Sequence, residues 1–274
     1  MDDTVHNQAE RETIVNPFKI YKPLLRATMR LAGLRPQKIE FQVLALAGDY
    51  AVYVPDLLFF GGSSTCDSGR TVGFQAECLA RGLAKLGVQQ CTVVGFSYDA
   101  MVAFRLAELQ PELVKSVVAT CSGPVVTESL SRECLERLGF PTLSEFLLPD
   151  SASALKKLLE IGSFHFPRLP KCVFKHAQER AELLEALVIP DNSLSRSTLR
   201  FDESSPSKVH LVMGENDRIF PAEVAKSVKE NLGDSATLVC IEKAGHMVAL
   251  ERPFVYNKCL KKILASIYKA GHTK

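Results

Sequence analysis

The chain has no apolar run long enough to span a bilayer and no signal-peptide core near its first residues, which argues against a membrane-spanning or secreted protein. Its eight cysteines (Cys66, Cys78, Cys91, Cys121, Cys134, Cys172, Cys240 and Cys259) form no C-x-x-C pair. That scatter excludes a zinc ribbon and a disulfide framework, and with no glycosylation sequon it fits a reducing, cytoplasmic setting. Charge is nearly balanced, 33 basic against 31 acidic residues, so nucleic acid is not an expected partner. The histidines lack metal-ligand spacing, and neither a phosphate-binding glycine loop nor a dinucleotide fingerprint is present.

What remains is the composition of a soluble globular protein, 46% hydrophobic and 23% charged, long enough for one large domain with an excursion. Residues 1–17 read as a polar tail; Asp2, Asp3, Glu10 and Glu12 within it argue against an organelle transit peptide. Residues 18–35 alternate Lys19, Lys22, Arg26 and Arg30 with Phe18, Tyr21, Leu24, Leu25 and Leu31, the pattern of an amphipathic helix. Two placements fit it: against the chain's own domain, or weakly on an anionic membrane.

The rest alternates between two periods. "YAVYVPD" (50–56), "CTVVGF" (91–96), "LVKSVVAT" (113–120), "KVHLVM" (208–213) and "ATLVCI" (236–241) are short β-branched runs that predict buried strands. Between them, "FQAECLARGLAKLG" (74–87) predicts a helix with Phe74, Cys78, Leu79 and Leu83 on one apolar face, and residues 98–109 predict another. Alternation of this kind predicts an α/β fold, a mostly parallel sheet with helices on both sides. Residues 124–206 interrupt it with helical patterns such as "ESLSRECLERLG" and "KHAQERAELLEALV" and no evident strand. They predict a helical cap between a first core part (18–123) and a second (207–274).

The chemistry-bearing residues fall at strand ends. Gly95-Phe96-Ser97-Tyr98-Asp99 stands where strand turns into helix, the context that gives a G-x-S motif its meaning. A serine nucleophile needs a sharp turn to lift its Oγ above the sheet, and small neighbours where strand and helix converge. Gly95 is suited to this; Asp99 is not. Serine also needs a base, and the base an orienting acid. Asp217 follows the strand ending near Met213, and His246 follows the one ending near Ile241. The order Ser97, Asp217, His246, each past the carboxyl end of its own strand, is the arrangement of serine α/β-hydrolases. His165, His176 and His210 offer no competing site; the last is expected to be packed inside its strand.

On "YVPDLLFFGGSS", "CTVVGFSY", "GENDRIF" and "KAGHMVALERP" the chain resembles the α/β-hydrolases of the monoacylglycerol-lipase and epoxide-hydrolase-like branch, notably plant members with a helical cap. The resemblance covers residues 41–268 and implies Ser97 as nucleophile, Asp217 as acid, His246 as base and the Tyr98 backbone N–H as an oxyanion donor, with no metal or cofactor. It implies a small apolar ester or lipid substrate; epoxide hydrolases and haloalkane dehalogenases of this family carry aspartate where Ser97 stands. Two features depart from it. No His-Gly segment occurs to supply a second oxyanion amide, and ahead of residue 50 there is room for only one short strand, "KIEFQV". Loss of one oxyanion donor costs about 10²–10³ in rate. These departures keep open a non-catalytic ligand-binding protein of this fold, or an incomplete variant of it.

Overall fold

A computed structural model of the chain describes residues 43, 45–60, 63–165, 187–189 and 208–271. The chain divides into two units, Met1–Tyr53 and Val54–Lys274. In the first, the described residues form a helical turn in which the Ala47 N–H donates to Val43 O at 2.8 Å and that of Tyr50 to Leu46 O at 3.0 Å. The expected helix at 18–35 lies outside the described residues, as does "KIEFQV" except for Val43, which is helical.

Among the described residues, the main sheet of the second unit has four strands: β1 (Cys91–Phe96), β2 (Val114–Thr120), β5 (Lys208–Gly214) and β6 (Ala236–Ile241). They run parallel in the order β1-β2-β5-β6. Their sequences explain their positions, because strands covered on both faces must be apolar almost throughout. The central pair complies: Val117, Val118 and Ala119 of β2 and Val209 and Leu211 of β5 are fully buried. The register pairs Phe96 with Thr120, Thr120 with Val212 and Gly214 with Ile241. All four carboxyl ends therefore meet at one rim, so the residues just past them are neighbours.

Helices cover the sheet. Helix α1 (Val72–Lys85) starts at Thr71, whose side chain accepts the Phe74 N–H. Its buried face is centred on Gln75, Ala76 and Leu83 rather than on Phe74 and Cys78. The rotation has a polar cause: the Gln75 amide accepts the Leu58 N–H at 2.9 Å and donates to Leu58 O at 3.0 Å, which draws Gln75 inward. Helix α2 (Tyr98–Leu109) is buried at seven of its twelve positions, in keeping with its place against β1 and β2.

Between β2 and β5 lie β3 (Val126–Thr127), α3 (Glu128–Leu138), α4 (Leu143–Leu147), α5 (Ala152–Gly162) and β4 (Val188–Ile189). Thr127, Thr142 and Ser151 cap the three helices by accepting backbone N–H groups, and Gly139 ends α3 at φ 72°. Leu138, Phe146 and Ile161 give this insert a small core of its own. The β3–β4 pair corrects the expectation of no strand here; two residues each are too few to show a period in sequence. Residues 166–186 and 190–206 lie outside the described part, and most of "KHAQERAELLEALV" falls within the first range. Helices α6 (Ala222–Leu232), α7 (Val248–Glu251) and α8 (Pro253–Gly271) complete the unit.

The strand expected at 50–56 does not form. Residues 51–57 carry no regular structure, and Tyr53 and Val54 are 45% and 61% exposed. A strand exists only by pairing, and no described strand lies beside this segment. Nor does one lie beyond β1, whose Val94 is 41% exposed.

Candidate active site

At the end of β1 the chain reverses into α2 through Ser97, at φ 52° and ψ −118°. A serine in this region stores strain of about 1–3 kcal/mol, which its surroundings hold: the Ser97 N–H donates to Thr120 O at 2.9 Å, and Ser97 O accepts from Ala100 at 3.1 Å. A Cβ on Gly95 would stand 2.5 Å from the backbone N and Cα of Ala100 and 2.6 Å from Asp99 C. The demand for a glycine thus falls on position 95. Asp99, two residues past the serine, turns its side chain outward and is exposed, so the helix forms without a small residue there. Desolvation by nearby protein pushes its carboxyl up to about 6, although water still reaches the group and opposes the shift.

Past β5, Asp217 is fixed from several directions. Its Oδ1 accepts the N–H groups of Ile219 at 2.8 Å and Phe220 at 2.9 Å, and its side chain is wholly buried. Oδ2 accepts from His246 Nδ1 at 2.8 Å. Past β6, His246 lies between the rings of Phe96 and Phe220, at 5.0 and 6.2 Å between centroids. Its Nε2 is 3.0 Å from Ser97 Oγ. With the Nδ1 proton directed at Asp217, Nε2 presents its lone pair to the serine hydroxyl. The three residues singled out in the sequence are thus brought together in one hydrogen-bonded row.

Glycine again allows the close approach on this side. A Cβ on Gly214 would lie 2.1 Å from Gly245 O and 2.6 Å from Ala244 O. The β5 end and the His246 loop therefore touch backbone to backbone.

Tyr98 opens α2, where a helix leaves its first N–H groups without intrahelical partners. Its phenol packs 5.8 Å from the Phe60 ring, and burial pushes it up to about 12. In the nearby turn at 57–60, three amides are committed. Leu58 N–H goes to Gln75 Oε1, Phe59 N–H to Ser63 O and Phe60 N–H to Leu57 O.

Cys121 was not singled out by sequence. It follows β2 at φ 50°, and its Sγ, an Asp217 carboxylate oxygen and a His246 ring nitrogen all lie within 4.8 Å of one another. Three such donors suit a metal ion in principle. Here burial, and next the Asp217 charge, hold the thiol well above its ordinary range, so it stays protonated and a poor ligand. Asp217 is meanwhile occupied by Ile219, Phe220 and His246. The set fits a hydrogen-bonded cluster better than a metal centre. His210, as expected, is packed: Nδ1 meets Thr237 Oγ1 at 2.8 Å.

Above Ser97 and His246 opens a cavity of about 430 Å³, walled by Leu130, Leu143, Phe146, Leu158 and Phe220. Its charged lining residues, Glu133, Arg137 and Glu223, are exposed. Most of the wall comes from the insert. No helix among the described residues is long and apolar enough to cross a membrane.

Residues 35–158 match the family model described as alpha/beta hydrolase fold; the stretch includes Ser97 and Tyr98 and ends before Asp217 and His246. The chain is 28% identical over 218 residues to a pimeloyl-[acyl-carrier protein] methyl ester esterase of Aeromonas hydrophila subsp. hydrophila, covering 77% of this chain and 84% of that protein. It is 24% identical over 248 residues to epoxide hydrolase 4 of Homo sapiens, covering 81% and 67%. Among solved structures, the 2-hydroxy-6-oxo-6-phenylhexa-2,4-dienoate hydrolase of Rhodococcus sp. strain RHA1 is similar with a TM-score of 0.63 at 22% identity, covering 83% of each chain.

Proposed function

For a chain that belongs to the α/β-hydrolase superfamily, we propose hydrolysis of carboxylic esters with an apolar acyl part by Ser97, His246 and Asp217. One observation carries the reading: the unbroken row from Ser97 Oγ through His246, at 3.0 Å, to Asp217, at 2.8 Å. His246 Nε2 removes the Ser97 proton as Oγ attacks the ester carbonyl, and Asp217 holds the imidazole in the tautomer this requires. The tetrahedral oxyanion forms near the Tyr98 N–H. Its collapse expels the alcohol, protonated by His246, and leaves an acyl-Ser97 ester. Water activated by His246 then releases the acid.

An ester suits the site because serine, unlike the aspartate of epoxide hydrolases, forms an acyl intermediate at an ester carbonyl. The Aeromonas relative bears the name of a methyl ester esterase, which supports the same substrate class. The apolar cavity supports an acyl chain lying against the insert, and its volume falls within the range of small-molecule sites. Turnover is slow in this reading. With one amide in place of two, the oxyanion is under-stabilised by about 3 kcal/mol.

A fluorophosphonate probe tests the proposal directly. Purified protein is expected to be labelled at Ser97, with labelling abolished in Ser97→Ala. Folded wild-type protein that resists the probe and turns over no ester sinks the hydrolase reading and leaves the binding-protein alternative.

A further inference from the structure

The loop carrying His246 is tied to more than its two partners. Glu251, the last residue of α7, directs both carboxylate oxygens back onto backbone. Oε1 accepts the Gly245 N–H at 2.9 Å. Oε2 accepts the N–H groups of Phe164 at 2.7 Å and His165 at 3.1 Å. One carboxylate thus spans the residue before His246 and the residues just past α5. Bonds from backbone N–H to a carboxylate are charge-assisted and short, about twice as strong as neutral ones.

The packing between the same segments is independent of that carboxylate. The Met247 N–H donates to Gly162 O at 3.0 Å. A Cβ on Gly245 would lie 2.8 Å from Phe164 N, 2.9 Å from Ser163 C and 3.0 Å from Gly162 O. The two backbones touch, on either side of His246 in sequence. Gly162 and Met247 both line the cavity above Ser97.

We propose that Glu251 is a positioning residue that locks the end of helix α5 to the His246 loop, so that cavity wall and base are held as one unit. Its kinetic consequences rest on the hydrolase reading above; the mechanical coupling does not. A substrate that displaces α5 would shift Gly245 and with it the imidazole. Substrate fit against the insert would then be felt at the reacting serine.

Glu251→Gln in the full chain is the test. The amide keeps the shape but turns one acceptor into a donor facing a backbone N–H, so at least one arm must fail. With p-nitrophenyl acetate and p-nitrophenyl decanoate, kcat is expected to fall on the order of ten- to a hundredfold for both. KM should rise for the decanoate only, because the acetate does not reach the insert. Amide hydrogen exchange supplies a readout without turnover: Gly245–Met247 and Phe164–His165 should lose protection together. Should the glutamine variant not fold, Glu251→Asp carries the same measurements, keeping the charge and shortening the reach. Unchanged protection at either segment overturns the proposal, as does joint loss with wild-type kcat in a protein that labels at Ser97. Joint loss in the variant, where the wild-type chain itself neither labels nor turns over, supports the coupling and refutes the hydrolase reading instead.

Discussion

Asp217 and His246 occupy a part of the molecule where polar groups are closely partnered, whereas Ser97 stands at the rim of β1, whose far edge no described strand covers. On the acid–base side, Asp217 accepts three hydrogen bonds, and Gly214 lets two backbones approach closely. On the nucleophile side the turn is strained and tightly built, but no strand among the described residues lies beyond β1. Amides 58–60 are engaged elsewhere, and Val94 faces outward. The contrast separates two requirements that family motifs present together. Aligning a serine with its base needs only the paired strands β1, β2, β5 and β6; stabilising the charge that forms needs donors beyond that hydrogen-bonded row.

The largest effects should come from the two glycines that set each side. In Gly214→Ala the new methyl group meets two carbonyl oxygens at 2.1 and 2.6 Å; in Gly95→Ala it meets the Ala100 backbone at 2.5 Å. Neither neighbour is a flexible side-chain tip, so backbone must move, at a cost of about 3 kcal/mol or more. Gly214→Ala should be the worse, since its methyl group meets a carbonyl oxygen at 2.1 Å and β5 is held between β2 and β6. Urea unfolding of both variants checks the order, and a tolerated Gly214→Ala would contradict the closely built acid–base side.

Next in size is Asp217→Asn. The amide oxygen can still accept from Ile219 and Phe220, but its NH₂ then faces His246 Nδ1. The imidazole must switch tautomer and turn an N–H toward Ser97, which disables the base. Loss of about 10³–10⁴ in fluorophosphonate labelling rate is expected, with thermal stability lowered far less. A loss below tenfold would mean that the alignment on the acid–base side contributes little to reactivity.

The same contrast marks what could be read from sequence. Strands β1, β2, β5 and β6 announced themselves because each is a β-branched run whose burial depends on neighbours the chain supplies. Helix α2 was legible to the residue, since it begins at the serine turn and ends where apolar spacing stops. "YAVYVPD" carries the same local signal as β1, yet forms no strand, because pairing is not encoded in the segment that pairs. Gln75 shifted the face of α1 through a bond to Leu58, seventeen residues back, which no helical period reveals. Glu251 and Cys121 were missed for a related reason. Each matters through a backbone or carboxylate brought to it by the fold, and a lone Glu before Arg252-Pro253 has no spacing that marks it. The serine, aspartate and histidine were legible because their chemistry requires them at strand ends in one order.

The smallest expected effect concerns Asp99, the acid on the nucleophile side of the comparison. Desolvation raises its carboxyl to about 6, above the ordinary value near 3.9, so the folded chain holds this proton more tightly than the unfolded one. Stability then falls as pH rises from about 4 to about 6, because over that range the native state binds more protons than the unfolded state. Asp99→Asn removes the contribution. Relative to the variant, wild-type Tm should decline across that window and level off above it, by a modest amount because the side chain is exposed to water. In Asp99→Gly the elbow gains nothing sterically, since the close approach is at Gly95. Any gain in ester turnover must then come from removing a negative charge near the oxyanion, and two- to threefold, about 0.5 kcal/mol, is expected for an exposed group. A gain of a hundredfold would show instead that Asp99 distorts the turn, and that the nucleophile side is misbuilt rather than under-furnished.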